Sequence, residues 1–136
     1  MANTVTTTRT SNTVKSLFAS NGATVGLTGT YALAIDELDV ESYENATIQF
    51  RNADSNAQTA QVWGSLYSAP ATVGTTAVPA SSYWVQIGDD ITVAATGSSM
   101  KSISTTGLRK MAVRVKSAGT YTMPIDQVLV FSQGRV

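Results

Sequence analysis

Apolar residues in this chain recur at every second position over short runs, and no stretch of ten residues keeps the 3.6-residue period of a helix. The clearest run is 108–116, where Met111, Val113 and Val115 fall on one face and Lys110, Ala112, Arg114 and Lys116 on the other. Tyr31, Leu33 and Ile35 alternate with small residues, and Ala46, Ile48 and Phe50 alternate with Thr47, Gln49 and Arg51. Gly, Asn, Asp, Ser and Pro punctuate these runs at intervals of about 8 to 15 residues, the spacing of a sandwich or barrel. The pattern predicts an all-β chain of about eight to ten strands, folded as a two-sheet antiparallel β-sandwich of jelly-roll or Ig-like topology with an extended N-terminal arm.

A chain of 136 residues suits one domain. Residues 1–22 read as the arm and a first turn, and 23–136 as the sandwich. The arm is Thr-rich, with Val5 as its apolar residue and Arg9 as its charge between Asn3 and Thr13. Val14 to Ala19 has the apolar content of a first strand, and Asn21-Gly22 is a favourable turn pair. Between Ala60 and Tyr67, Val62 and Leu66 take one face while Trp63 and Tyr67 take the other. With both faces apolar, this strand is expected at the centre of a sheet or under a neighbouring chain. Ser68 to Ser82 is the longest connection, contains Pro70 and Pro79, and has the length of a functional or mobile loop.

Composition narrows the chemistry. There is no Cys and no His, which removes thiolate nucleophiles, Cys/His zinc sites and every Ser-His or Cys-His pair. Nine basic and nine acidic residues are scattered along the chain, without the basic stripe of a nucleic-acid binder. The polar N-terminus lacks the apolar stretch of a signal peptide, and no run reaches the ~20 apolar residues of a membrane helix. The expectation is a chain made in the cytoplasm, with no nucleic-acid, membrane or cofactor partner.

The acidic run Asp36, Glu37, Asp39, Glu41 and Glu44 could in principle supply oxygen ligands to calcium, but its spacing lacks the EF-hand pattern and fits a solvated corner between strands. Asp89-Asp90 follows Gly88 as ordinary turn residues, with no identifiable base to partner them in acid–base chemistry. Asn45-Ala46-Thr47 matches a glycosylation sequon that has no use without a secretory signal. Trp63, Tyr67, Tyr83 and Trp84 flank the long connection. Exposed, they would offer a platform to a sugar ring; buried, they would be core or subunit-interface anchors, which is the more frequent fate of large aromatics. These residues predict binding or structural work and no enzyme.

Three stretches are familiar together: LDVESYENATIQF, then AQVWGSLYSAP followed by WVQIGDDITV, then GLRKMAVRVKSAG. Their succession resembles small β-sandwich proteins of tailed-bacteriophage virions, with the closest likeness to capsid decoration, or cement, proteins. The likeness covers roughly residues 38–119 and consists of strand patterns, not reactive residues. It implies a virion structural protein on the capsid surface that binds the major capsid protein and clamps neighbouring subunits. It further implies a homo-oligomer, commonly a trimer, and an N-terminal arm that grips the partner. Asn3, Val5, Thr7, Arg9 and Val14 are the candidate arm contacts. Similar patterns occur in adhesive and sugar-binding sandwiches of tails, baseplates and head fibres, which makes a carbohydrate-binding module the alternative.

Overall fold

The short alternating runs form eleven strands in the computed structural model, which describes residues 14–15, 25–75, 82–124 and 127–133. They are β1 (Val14–Lys15), β2 (Val25–Leu27), β3 (Ala32–Asp39), β4 (Asn45–Arg51), β5 (Gln58–Ser65), β6 (Val85–Gln86), β7 (Ile91–Val93), β8 (Ser98–Ser104), β9 (Lys110–Ser117), β10 (Tyr121–Met123) and β11 (Val128–Gln133). Every pairing is antiparallel.

One rule generates most of the topology. β1 pairs β11, β2 pairs β10, β3 pairs β9, β4 pairs β8, and β5 pairs both β6 and β7. The chain is therefore a single long antiparallel ribbon. Its tip is the segment between β5 and β7, and its open end carries β1 and β11. Rolling the ribbon sets β11 beside β4 and β9 beside β5. The result is a sheet ordered β1-β11-β4-β8, a facing sheet ordered β3-β9-β5-β6 with β7 also on β5, and a separate β2-β10 pair. This is the jelly-roll winding. An Ig-like sandwich joins successive strands within a sheet by hairpins, whereas here β3, β4 and β5 alternate between the two sheets.

The inner faces meet as the alternation predicts. Ala46, Ile48 and Phe50 of β4, Ile103 of β8 and Val128 and Val130 of β11 face Ile35, Leu38, Ala60, Val62, Met111, Val113 and Val115 of the other sheet. Leu27 and Met123 from the β2-β10 pair join the same core. Each fully buried aliphatic side chain contributes roughly 1.5–3 kcal/mol by leaving water.

Two expectations change. Strand β3 does not stop at Ile35 but runs into the acidic segment as far as Asp39. Register shifts between Leu33 and Ile35 and between Ile35 and Leu38 break the simple alternation, so that Ala34, Ile35 and Leu38 are buried while Asp36, Glu37 and Asp39 stay exposed. Lys110 Nζ of the neighbouring strand lies 3.4 Å from Glu37 and 3.9 Å from Asp39, and Arg109, just ahead of that strand, lies 3.3 Å from Glu41. Second, Leu66 does not continue the inner face of Val62. Strand β5 ends at Ser65, and Leu66 turns outward to solvent.

Candidate interaction surface

The outer face of the β3-β9-β5-β6 sheet is built like a second, smaller core. Trp63 of β5, Ala112 of β9 and Leu33 of β3 project there, opposite to the inner-face residues of their own strands. A polar outer face would suit a sheet washed by water. This one is apolar because the connection after β5 folds back over it. Val73 is fully buried against Trp63, Trp84 and Ala112, and Trp84 donates its indole N–H to the carbonyl of Ala71. The strand with two apolar faces is thus central, flanked by β9 on one side and β6 and β7 on the other, and the cover on its second face comes from its own chain.

Arg114 organises this layer. Its side chain is completely buried. Its Nε donates to Gln61 Oε1 at 2.8 Å and its Nη1 to the carbonyl of Gly74 at 3.3 Å. The guanidinium carbon lies 4.4 Å from the centre of the Tyr31 ring and 5.0 Å from that of Trp63, within cation–π range of both. Gln61 Oε1 also accepts from Trp63 Nε1 at 3.1 Å, and Gln61 Nε2 donates to Asp90 Oδ1 at 2.8 Å. Gln86 Nε2 donates to the same oxygen at 2.7 Å. The hydrogen bonds from Gln86 and Gln61 hold the Asp90 carboxyl below the usual range, against the opposing pull of desolvation. Burial raises the Tyr31 hydroxyl, and burial lowers Arg114 from its ordinary value. Asp90 is therefore an ionised acceptor that balances a buried guanidinium through an amide relay. A carboxylate so occupied is poorly placed to give or take a proton near neutral pH.

The four aromatics divide into two pairs. Trp63 and Trp84 are buried in the layer just described. Tyr67 and Tyr83 are exposed by 55% and 45%, and their rings meet edge to face with centres 4.6 Å apart. Beside them in sequence, Leu66 is exposed by 65% and Val85 by 70%. These four residues bracket the two ends of the long connection, so the ribbon's tip presents apolar side chains to solvent. Of the four, the two tyrosine rings are in contact with one another. Reasoning from sequence singled out the aromatics but missed Leu66, Val85 and the Arg114 relay. The available signal was Arg114 itself, a long cation between Val113 and Val115.

The remaining sequence candidates fall as follows. Val14 lies in β1 opposite Phe131 of β11, so this residue's backbone belongs to the domain's own sheet. Asn3, Val5, Thr7 and Arg9 lie outside the described residues. Asn45 opens β4 in an exposed position, and Asp89 is exposed next to Asp90. Among the described residues no three acidic side chains converge as metal ligands would. Two open hollows flank the β4-β8 pair: one of about 450 Å³ beside Arg51, Asn52 and Thr96, the other of about 430 Å³ beside Glu44, Ser102 and Thr106. Neither includes an aromatic residue. Comparison with protein-family models and with curated proteins finds no match for the chain, so the functional reading stands on its own surface and fold.

Proposed function

We propose that this chain is a non-catalytic structural subunit of a tailed-bacteriophage virion, a decoration protein that sits on the head and clamps neighbouring major capsid subunits. The observation that carries the reading is the tip: a jelly roll braced by a buried Arg114 relay presents Leu66, Tyr67, Tyr83 and Val85 outward. An apolar group of this kind on a rigid frame suits a contact surface, since little ordering is lost on docking. Residues 1–13 precede β1, and extended backbone can add hydrogen bonds to a partner's strand edge. Repetition over a symmetric shell turns modest single-site affinity into firm retention.

The test mixes purified protein with undecorated heads and measures saturation by sedimentation. The full chain saturates the heads, and deletion of residues 2–13 weakens binding by about tenfold or more while the far-ultraviolet circular dichroism spectrum stays β-type. A full chain that ignores heads refutes the proposal; a truncated chain that saturates them as well as the full one removes the arm's role.

The exposed Tyr67–Tyr83 pair supports a second reading, a carbohydrate-binding or adhesive module. A glycan array separates the two. A sugar ligand lost on Tyr83→Ala favours adhesion, whereas Trp84→Ala is uninformative because Trp84 is buried.

A further inference from the structure

The geometry points to Tyr67 and Tyr83 as a site of oxidative modification, where a one-electron oxidant joins the two phenol rings as dityrosine and closes the connection 68–82 into a covalent loop. The chemistry lies within one chain and does not depend on the virion reading.

The frame brings the two rings together. β5 and β6 run antiparallel with Gly64 opposite Val85, so the chain leaving β5 and the chain entering β6 start side by side. Tyr67 lies two residues past the end of β5, and Tyr83 two residues before the start of β6. Each stands next to a fixed point. The amide N–H of Tyr67 donates to Ser65 Oγ at 3.1 Å, and Tyr83 precedes Trp84, whose buried indole donates to the carbonyl of Ala71. The rings meet edge to face with centres 4.6 Å apart, at the short end of the ~4.5–7 Å over which aromatic pairs associate.

Coupling then needs only the oxidant. Each phenol gives one electron to it and its hydroxyl proton to water. The two phenoxyl radicals join through a new bond between ring carbons ortho to the oxygens (Cε), and the hydrogen on each of those carbons passes through solvent to the oxygen, restoring both hydroxyls. The chain loses two hydrogen atoms in all; with hydrogen peroxide and a haem peroxidase as the oxidant, one peroxide becomes two waters. Holding both partners in contact replaces the chance meeting of two scarce radicals by a reaction within one chain. Access and competition favour the same pair. The rings are exposed by 55% and 45%, open to an oxidant from solvent, whereas Tyr31, Trp63 and Trp84 are buried. The chain has no Cys, the side chain that would otherwise be oxidised in their place.

The experiment treats the full chain with haem peroxidase and hydrogen peroxide over a wide range of protein concentration. It reads dityrosine fluorescence, denaturing electrophoresis and peptide masses. The linked product runs as a single chain, its yield does not change on dilution, and the peptides bearing Tyr67 and Tyr83 stay joined after elastase cuts within 68–82. Tyr67→Phe and Tyr83→Phe each lower the yield about tenfold or more, because Phe has no hydroxyl to oxidise and the positioned partner is lost. Tyr121→Phe, in β10 and away from the pair, leaves the yield unchanged. Oxygen added at the exposed Met100 raises the mass of a different peptide and is scored apart. Three results overturn the inference: a yield that falls with dilution, fluorescence confined to species of two-chain mass, or undiminished product in either the Tyr67→Phe or the Tyr83→Phe variant.

Discussion

Arg114 shows how one buried charge is made tolerable. A guanidinium without water needs hydrogen-bond acceptors, a counter-charge and polarisable neighbours. Gln61, Asp90 and the rings of Tyr31 and Trp63 supply these in turn. A second polar cluster sits where β5 begins. Asp54 is buried and accepts a 2.6 Å hydrogen bond from Ser117 Oγ, and this bond is the main reason its carboxyl is held below the usual range. A depressed folded-state value means that the stabilisation is complete above the unfolded Asp value of about 3.9 and is lost as pH falls through the folded value. Ser117→Ala should therefore cost about 1–2 kcal/mol at pH 7. The gap between variant and wild type should narrow below pH ~4, as urea denaturation at a series of pH values would show. Thr96 carries the opposite kind of feature. Its φ of 52° lies in the left-handed region, which a β-branched residue rarely adopts. Thr96→Gly relieves that strain, and a gain of about 0.5–1 kcal/mol is expected as a higher melting temperature. An unchanged or lowered value would show that the bond from Thr96 Oγ1 to the carbonyl of Ala95 outweighs the strain.

Among the elements, β8 is the free edge of its sheet. It keeps an unbroken seven-residue register with β4, so its outer backbone is a straight template for another strand. Lys101 is the guard. It lies on the same face of β8 as buried Ile103 and opposite buried Ile48, and a Cβ at Gly88 would stand 2.5 Å from its Nζ. A lysine directed inward at an edge makes pairing with a further strand costly, because that strand would confine the charge. Lys101→Ile should raise the melting temperature or leave it unchanged, yet speed aggregation on mild heating as followed by light scattering; equal aggregation would remove this role from Lys101. The elements also show what a linear reading can and cannot reach. The alternation in β9 and β4 was legible because each has one wet or differently covered face and no bulge. The course of β3 was not, because two register shifts turn Ala34 and Ile35 inward together and carry the strand through carboxylates that look like a loop. The three-residue strands β2 and β10 are too short to show a period, and they exist only because they pair with each other. At the tip, sequence marks four aromatics alike. What separates the buried Trp63 and Trp84 from the exposed Tyr67 and Tyr83 is the fold-back that seats Val73, a tertiary event with no local signature.

At the scale of the whole molecule, the ribbon dictates an order of assembly. Pairs grow more distant in sequence from tip to open end: Ala60 faces Ile91, Ile48 faces Lys101, Ile35 faces Val113, Gly26 faces Thr122 and Val14 faces Phe131. Closing each loop independently would discriminate little, since a doubling of loop length costs only about 0.6 kcal/mol. Closing them in sequence discriminates more. Once β5 and β7 pair, β4 and β8 are already neighbours and need only a short further closure, whereas β1 and β11 meet cheaply only after every inner rung has formed. The rolling contact of β9 on β5 must then come before the last rung, because it completes the sheet against which β4 and β8 pack. Folding should therefore nucleate near the tip and proceed towards the termini, and with so many distant pairings it should be slow, in the range of milliseconds to seconds. Conservative truncations report the order. Val62→Ala and Ile103→Val should slow folding, with φ-values of about 0.5 or more, whereas Met123→Ala and Val130→Ala should mainly speed unfolding, with φ-values of about 0.3 or less. Stopped-flow chevrons of these four variants decide it: high φ-values at Met123 and Val130 with low ones at Val62 and Ile103 would mean that the open end of the ribbon forms first, and that the pairing rule describes the finished fold without describing its making.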